Sequence, residues 1–412
     1  MKFIHIADLH FGKNFDGYSM AEEDQPYWMD RFFELVDKEN PDAIIIAGDV
    51  YDRGVPPKDA VNLLDEFLTR LSKKEIPILM IAGNHDSGSR LQFGSQLLEK
   101  SNLYIAGEIE ANVKNVVLKD KYGTVTFWLV PYLFPALIQE VLDDKTITNY
   151  DQAMRALLQK QNIDFSIRNV IISHQMVTVG GKPLETEGSE VMVGGVGNID
   201  VSAFDGFDYV ALGHIHAAQT VGSDNVRYAG SPLCYHFSES KKNKKGPVIV
   251  TMEKKGKPLD IRVEELEVLH PLREIKGKYS EIISKETFNK KKNEYIKVTL
   301  TDNNVPSDAM RTLSDLFEKK GSKLMEMLHE PSIKYSDIES IKNKDVKKKS
   351  VSSLFEDFYR ERFDGEFPSE IEKEIIDLIE SQIESSNSDD LSEKEKQKNI
   401  DAIIELAQKE TK

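Results

Sequence analysis

Five short stretches of the chain place aspartate, histidine or asparagine directly after an apolar run. In chain order they are Asp8-Leu9-His10, Gly48-Asp49 through Asp52, Gly83-Asn84-His85-Asp86, His174, and Gly213-His214-Ile215-His216. One such stretch alone is typical of an ordinary polar turn. Five of them at the carboxyl ends of strands on one sheet would aim their side chains at a common point. Converging carboxylate and imidazole groups are typical of a metal centre.

These stretches contain a set of seven candidate metal ligands. The seven are Asp8, His10, Asp49, Asn84, His174, His214 and His216. The set is larger than one ion with open positions needs, but it suffices for two ions that share a bridging carboxylate, for which Asp49 is the natural choice. Imidazole, carboxylate and amide ligands without thiolate suit manganese or iron better than a structural zinc. Two such ions roughly 3.5–4 Å apart can clamp a phosphoryl group and activate a water molecule for attack on phosphorus.

His85 is the candidate catalytic residue, because it follows a candidate ligand but points the other way along the backbone. Beside the ions it could stabilise the transition state or protonate the leaving oxygen. Asp52 could hydrogen-bond the His85 ring and keep it charged. Arg53 could contact phosphate or could simply be exposed to solvent, and His5, inside a strand, is expected to be a core histidine. The remaining histidines, His236, His270 and His329, show no clustering.

The first 105 residues alternate apolar strands with amphipathic helices. Strands are predicted at 2–7, 43–47, 78–82 and 103–106, and helices near 25–39, 58–73 and 87–100. This rhythm predicts a parallel sheet covered by helices. If the strands continue through Asp8/His10 and His214/His216, period-2 alternation turns Leu9 and Ile215 into the core.

From residue 113 the pattern becomes rich in strands and predicts a second sheet. This sheet begins with strands at 115–119 and 124–130, and residues 133–160 are mainly helical. Further strands at 170–172, 209–212, 226–229 and 247–251 complete the two sheets. The long Gly-rich stretch 176–200 either lies over the cleft near His174 or is a surface loop. After His270, strands at 273–277 and 295–301 and a helix at 309–319 predict a small α+β domain.

The last part of the chain is predicted to be a polar linker followed by helices. Apolar residues recur at helical spacing over 351–358, and Ser369-Glu-Ile-Glu372 is a capping box that opens a second amphipathic helix. The helical pair 350–383 either packs on itself or docks on a partner helix. The basic runs 241–245 and 342–349 are either solvated or in contact with nucleic acid.

The composition is that of a globular protein of 412 residues with a net charge of −16. Residues 350–412 contain 18 acidic and 8 basic residues, a net of −10, which leaves −6 for the first 349 residues. The overall charge therefore does not exclude a phosphate ligand in a metal-bound cleft. With one cysteine, Cys234, no apolar run of the ~18 residues that a membrane helix needs, and no signal-peptide pattern, we expect a cytoplasmic protein without a membrane partner.

The five motifs, in this order, resemble those of the calcineurin-like metallophosphoesterase family. Residues 8–13, 84–87 and 228–237 further resemble the double-strand-break repair nucleases of that family, and the resemblance covers residues 1 to about 270 well. It implies an α/β fold, a two-sheet sandwich flanked by helices, with a nuclease domain at 1–270, a small α+β capping domain at 271–345, and a linker with a C-terminal helical pair at 346–412.

The same resemblance implies a function and its partners. The chain would bind two manganese ions and cut DNA, as an exonuclease on duplex ends and an endonuclease on hairpins. Residues 350–383 would bind an ATPase subunit, since this chain has no Gly-x-x-x-x-Gly-Lys-Ser/Thr loop of its own. Helices near 57–70 and 89–100 would form a homodimer. Some relatives have histidine where this chain has Asp52, which leaves the partner of His85 open.

Two alternatives to a nuclease remain open on the sequence. The first is a phosphomonoesterase or cyclic-nucleotide phosphodiesterase of the same fold, and the second is a scaffold that has lost its chemistry. The additional domain and the helical pair argue against the first, because small substrates do not need them. The complete set of candidate ligands argues against the second.

Overall fold

The structure is a computed structural model that describes residues 1–182, 197–241, 245–288 and 293–330. The predicted linker, the helical pair 350–383, the middle of the Gly-rich stretch and most of the basic run 241–245 lie outside the described residues. Within the described ranges, no helix is both long enough and apolar enough to cross a membrane. Residues Met1–Glu330 form one compact unit.

The first part of the chain forms a parallel sheet with helices, as the alternating pattern predicts. Its elements are β1 (Lys2–Ile6), β2 (Asn14–Phe15), β3 (Tyr18–Ser19), α1 (Asp24–Glu39), β4 (Ala43–Ala47), α2 (Lys58–Ser72), β5 (Ile78–Ile81), α3 (Gly88–Gln92), α4 (Ser95–Leu98) and β6 (Leu103–Ala106). Strands β1, β4, β5 and β6 pair in parallel in that order. Their carboxyl ends therefore lie at one edge of the sheet.

The second part builds a second sheet and then returns to the first. The elements are β7 (Lys114–Asp120), β8 (Gly123–Val130), α5 (Pro135–Leu142), α6 (Tyr150–Gln159), β9 (Arg168–His174), β10 (Val177–Thr178), β11 (Ile199–Asp200), β12 (Tyr209–Gly213), β13 (Gln219–Val221), β14 (Ser223–Tyr228), β15 (Val248–Thr251) and β16 (Asp260–Val263). The second sheet has the order β13-β14-β12-β9-β8-β7, and β15 and β16 extend the first sheet beside β1. The pair β10–β11 holds together the two ends of the Gly-rich stretch.

The two sheets pack face to face, and each outer face is covered by helices. Ile45, Phe127 and Val170 belong to the buried cluster between the sheets. Ile44 and Ile46, the alternate residues of β4, pack instead in the cluster that contains Phe32 and Phe67 of α1 and α2. A strand buried on both faces must be apolar at every position, which explains the continuous run at 43–47. The predicted two-sheet sandwich is confirmed.

The prediction of a single helix at 87–100 is wrong. The structure breaks it into α3, α4 and a 3₁₀ helix at Glu99–Ser101. The break falls at Phe93 and Gly94, where Gly94 takes a left-handed conformation with φ of 73°. Glycine adopts positive φ without the Cβ strain that other residues meet, so the chain turns there and leaves the helix.

The region after residue 270 is a separate layer with its own core. Its elements are β17 (Leu272–Gly277), α7 (Tyr279–Phe288), β18 (Tyr295–Leu300), α8 (Ala309–Glu318) and β19 (Lys323–His329). Neither α7 nor β19 was predicted from the sequence, and the three strands are all parallel. The region, expected to be a small α+β domain, is thus a unit of mixed helices and strands in the order βαβαβ. Val298, Leu313 and Phe317 form part of its core.

A buried polar contact fixes this small unit to the larger one. The Asp24 carboxylate, at the start of α1, is 2.8 Å from His270 Nδ1 and accepts a 2.7 Å hydrogen bond from the Tyr295 hydroxyl. The His270 and Tyr295 rings stack with centroids 4.4 Å apart. Because all three residues are buried, separating the units would leave the carboxylate without these partners, which opposes their separation.

Candidate metal centre

All seven candidate ligands meet at one place, but they come from two sheets rather than one. Asp8, His10, Asp49 and Asn84 follow β1, β4 and β5 of the first sheet, whereas His174, His214 and His216 end β9 or follow β12 of the second. Two contacts join the halves. His174 Nδ1 lies 2.8 Å from the Ala47 carbonyl oxygen, and the His214 N–H donates to Asp8 Oδ1 at 2.9 Å. The site therefore depends on the sandwich as a whole.

The backbone at the ligands is not extended, which corrects the period-2 argument. Asp8, His10 and Asp49 have φ of 55°, 43° and 48°, and His214 has φ of 100°. Residues other than glycine rarely take positive φ, and such residues cluster at functional sites. Leu9 is nevertheless buried in the core, as expected, but local left-handed turns place it there rather than strand alternation.

Three glycines allow the ligand loops to come this close. A Cβ on Gly83 would lie 2.2 Å from Asp49 Oδ1, and one on Gly48 would lie 2.3 Å from His174 Nδ1. A Cβ on Gly213 would lie 2.0 Å from the Ala47 carbonyl oxygen. Each distance is far below van der Waals contact, so any side chain at these positions would displace a ligand or the strand behind it.

One half of the site gathers around Asn84. The Asn84 Oδ1 atom lies 3.0 Å from His174 Nε2 and 2.9 Å from His214 Nδ1. The Asp49 Oδ2 atom is 3.2 Å from the same His174 nitrogen. One carboxylate, one amide oxygen and two imidazoles thus converge with their ligand atoms facing each other.

The other half gathers around His10. Its Nε2 atom lies 3.1 Å from His216 Nε2 and 3.6 Å from Asp49 Oδ2. The Asp49 carboxylate therefore lies between the two halves, the position that a bridging ligand requires. Asp8 groups with His10 and His216 on one side, and with Asp49 and His174 on the other, with ligand atoms within 4.8 Å of one another.

The Asp8 carboxylate indicates that these residues fit a cation. Asp8 is fully buried, and its Oδ2 atom has no hydrogen-bond partner. An unsatisfied buried carboxylate oxygen is costly. A divalent cation would satisfy it, and the oxygen and nitrogen donors around it match the preferences of manganese or iron.

The pKa values in the site follow from burial and from the Asp49 charge. Burial lowers the pKa of His10 well below its usual value, and burial, helped by the His174 charge, lowers the pKa of His214 to about 3. Both imidazoles are therefore neutral near pH 7, the form that binds metal. Burial also opposes the charge on His174, but the facing Asp49 carboxylate outweighs it and raises the His174 pKa to about 9. Burial raises the pKa of Asp8 to about 6.

His85 lies beside the candidate ligands, with its ring centroid 4.9 Å from that of His10. Its Nδ1 atom is 2.9 Å from the main-chain carbonyl oxygen of Asp52. Asp52 therefore hydrogen-bonds the ring, as expected, through its main-chain oxygen. The Asp52 carboxylate lies 2.8 Å from Lys13 Nζ and 3.7 Å from His10 Nδ1, and within 4.8 Å of a ring nitrogen of His85.

Glu239 lies behind His216 and had no role assigned from the sequence. Glu239 is buried, and its Oε1 atom lies 3.3 Å from His216 Nδ1. Its Oε2 atom forms a 2.9 Å ion pair with Lys245, which also donates to the His216 carbonyl oxygen. Such a contact orients a ligating histidine so that its other nitrogen faces the metal. Lys245, expected to be solvated or in contact with nucleic acid, is instead part of this buried pair.

Asp86, the last residue of its motif, also had no role assigned from the sequence. The Asp86 carboxylate accepts main-chain hydrogen bonds from Gly83, Val50 and Tyr51 at 2.8–3.0 Å. It therefore ties the Asn84 loop to the Asp49 loop. His5, by contrast, was assigned to the core from the sequence, and it is fully buried with Nδ1 3.0 Å from the Tyr209 hydroxyl.

Most of the chain is similar to known proteins. Residues 1–218 match the family described as calcineurin-like phosphoesterase. Residues 268–363 match the family described as type 5 capsule protein repressor C-terminal domain. The chain is 33% identical over 370 residues to SbcD, a subunit of the nuclease SbcCD, from Staphylococcus epidermidis, covering 88% of this chain and 94% of the relative. It is 36% identical over 320 residues to SbcD of Staphylococcus saprophyticus, covering 77% and 82%.

The chain therefore belongs to the calcineurin-like phosphoesterase family, and within it to the SbcD family of nuclease subunits. The family resemblance expected from the five motifs is confirmed. As a member of this family, the chain is a hydrolase of phosphoesters that uses divalent metal ions.

Proposed function

We propose that this chain is a metal-dependent DNA nuclease that acts with an ATPase partner in DNA repair and recombination. It would cut duplex ends as an exonuclease and hairpins as an endonuclease. The observation that carries the proposal is the convergence of Asp8, Asp49, His174 and their neighbours, from both sheets, around an unsatisfied buried carboxylate oxygen. The two similar nucleases, which cover most of the chain, supply the substrate class.

The site would hold two divalent cations, and manganese is the ion that we propose. One ion would bind near Asn84, His174 and His214, the other near Asp8, His10 and His216, with Asp49 shared between them. Bound there, the ions would supply the nucleophile and the positive charge that phosphodiester hydrolysis needs.

His85 would act on the leaving oxygen. Because the Nδ1 atom of His85 faces the Asp52 carbonyl oxygen, that nitrogen carries a hydrogen and donates a hydrogen bond to the oxygen. The other ring nitrogen, Nε2, is not used in this contact. In the imidazolium form, which carries a proton on both nitrogens, a ring held in this way can give its Nε2 proton to the oxygen that leaves phosphorus and become the neutral Nδ1–H imidazole. Asp52 would contribute through its main chain to His85 and through its carboxylate to Lys13.

The partner would be an SbcC-like ATPase, since the two relatives are each named as one subunit of SbcCD. We propose that residues 350–383 bind it and that residues 271–345 form a capping domain over the DNA cleft. A chain truncated after Lys349 should keep basal manganese-dependent cleavage but no longer co-purify with the ATPase. Unchanged co-purification would place the contact elsewhere.

One assay separates the nuclease from the main alternative. Manganese-loaded protein is given hairpin DNA, linear duplex DNA and p-nitrophenyl phosphate under the same conditions. The proposal expects cleavage of both DNAs, and the His174→Ala variant should lose it. Hydrolysis of the monoester alone would identify the protein as a phosphomonoesterase instead.

A further inference from the structure

A cavity of 410 Å³ opens directly beside the candidate metal centre. One wall is formed by the loop after β5 and the start of α3, including Asn84 and Ser89. A further part of the lining comes from the segment between β8 and α5, with Tyr132 and Phe134, and from Leu137 of α5. A cavity of this volume is in the range that accommodates one small organic molecule.

The cavity is continuous with the site of the proposed chemistry. Asn84 belongs to both, because its side-chain oxygen contacts His174 and His214 while the residue lines the cavity. The Tyr132 ring centroid lies 6.1 Å from that of His214 and 6.2 Å from that of His174. A group attached to a phosphate at the metal centre can therefore reach this wall.

The wall of aromatic rings is held in place and partly open to solvent. The Phe134 side chain is 50% exposed, and its ring packs edge to face on Tyr132 with centroids 4.8 Å apart. The Tyr150 ring supports both from α6 at 6.4 and 6.5 Å. The Tyr132 N–H donates to the Ala82 carbonyl oxygen at 2.9 Å, which ties the segment to the strand that carries the Asn84 loop. The rings are thus positioned before any ligand arrives.

We propose that Tyr132 and Phe134 form a stacking surface for one unpaired nucleobase, that of the nucleotide whose phosphate lies at the metal centre. This proposal rests on the proposed nuclease function. Aromatic faces stack on every base, so the contact would be tolerant of sequence. Because a base can reach the cavity only when it leaves the helix, substrates whose bases are already unpaired, such as hairpin loops and frayed ends, would be favoured.

A substrate that lacks one base tests the proposal. Two otherwise identical hairpin oligonucleotides are compared, one with a normal nucleotide at the cleaved position and one with a tetrahydrofuran abasic analogue there. Stacking of one base on an aromatic side chain corresponds to roughly 5- to 150-fold in affinity. Manganese-loaded protein should therefore show a kcat/KM at least roughly fivefold higher for the normal hairpin, and Phe134→Leu should remove that preference.

Matched variants complete the test. Phe134→Trp should keep the preference for the normal hairpin. Phe165→Ala should keep it as well, because Phe165 is similarly exposed but precedes the first residue of β9, whereas the candidate ligand His174 is the last residue of that strand. Equal cleavage of both hairpins by the natural protein, or a preference that survives in Phe134→Leu, would overturn the proposal.

If the natural protein cuts neither hairpin, the nuclease assignment fails and binding decides the fate of the stacking surface. Calorimetry should then show tighter binding of deoxyadenosine monophosphate than of deoxyribose 5-phosphate, with the difference lost in Phe134→Leu. If the natural protein bound the two ligands equally, that result alone would show that Tyr132 and Phe134 do not form a stacking surface.

Discussion

His85 is the side chain through which the proposed chemistry can be tested without disturbing the metal ligands. The His85→Ala variant should bind manganese as the natural protein does, because its ring lies beside the ligands and contacts the Asp52 carbonyl. Loss of a general acid lowers the rate by roughly 10²–10⁴-fold. Metal analysis and single-turnover cleavage measure the two effects, with exposed His236→Ala as the control. Cleavage that persists in His85→Ala would remove His85 from the mechanism.

His5 makes stability depend on pH for a reason unrelated to the metal centre. Burial, together with the nearby Arg227 charge, lowers the pKa of His5 to about 3, against an ordinary value of 6.5. Between pH 6.5 and about pH 3, the His5 imidazole is protonated in the unfolded chain but neutral in the folded chain. The free energy of unfolding should therefore fall as pH drops from 6.5 towards 3, by about 1.4 kcal/mol per pH unit from this group.

The corresponding variant isolates this effect. His5→Phe should lose stability at pH 7, because the hydrogen bond to Tyr209 disappears, yet its unfolding free energy should decline less steeply between pH 6 and pH 4.5. Urea denaturation of the two metal-free proteins at several pH values gives the slope of the unfolding free energy against pH for each. The contributions of the other titrating groups cancel when one slope is subtracted from the other. Parallel slopes would mean that His5 takes up its proton in the folded state.

At the scale of the elements, the loops after the parallel strands position the ligands, and glycines set how closely those loops approach. Gly83→Ala should shift Asp49, because the new methyl group would lie 2.2 Å from its carboxylate oxygen. We expect lost manganese affinity and lost cleavage with the fold retained. Gly54→Ala, in a neighbouring loop, has only ordinary contacts, the nearest at 3.8 Å, and should behave as the natural protein. Titration calorimetry with manganese compares the two variants, and normal affinity in Gly83→Ala would contradict the packing.

At the scale of the whole molecule, α2, α4 and the turn before α4 expose apolar side chains, which agrees with the homodimer that the family resemblance implies. Phe93 is 86% exposed and Leu97 is 72% exposed, and Val61 of α2 is exposed as well. Exposed apolar patches of this kind often mark interfaces. The double variant Phe93→Ser/Leu97→Ser should be monomeric by light scattering, whereas Val117→Ser, on the edge strand β7, should remain dimeric. A natural protein that is monomeric at micromolar concentration would contradict the dimer.

The strands and the residues that follow them could be predicted because both signals are local. Apolar runs such as 43–47 mark strands covered on both faces, and polar residues directly after them mark strand ends. The boundaries of β4 and β6 match the predicted ones, and the seven candidate ligands do converge. The division of 87–100 into short helices was missed because it depends on one left-handed glycine within an otherwise helical pattern.

Other features depended on contacts between distant parts of the chain, which spacing cannot report. Glu239 and Lys245 meet behind His216 only after the second sheet has formed. The Asp52 carboxylate pairs with Lys13 from a distant part of the chain, and it is the Asp52 main-chain oxygen that accepts from the His85 ring.

The amino-acid sequence by itself determined which residues could bind metal, the two-sheet architecture and the family, because each follows from local pattern and motif order. Only the tertiary structure decided that the ligands come from both sheets, that left-handed turns aim them, and that an aromatic wall stands beside them. The physical reason is that these properties belong to pairs of segments brought together by burial of the sandwich core, and no short stretch of sequence contains both members of a pair.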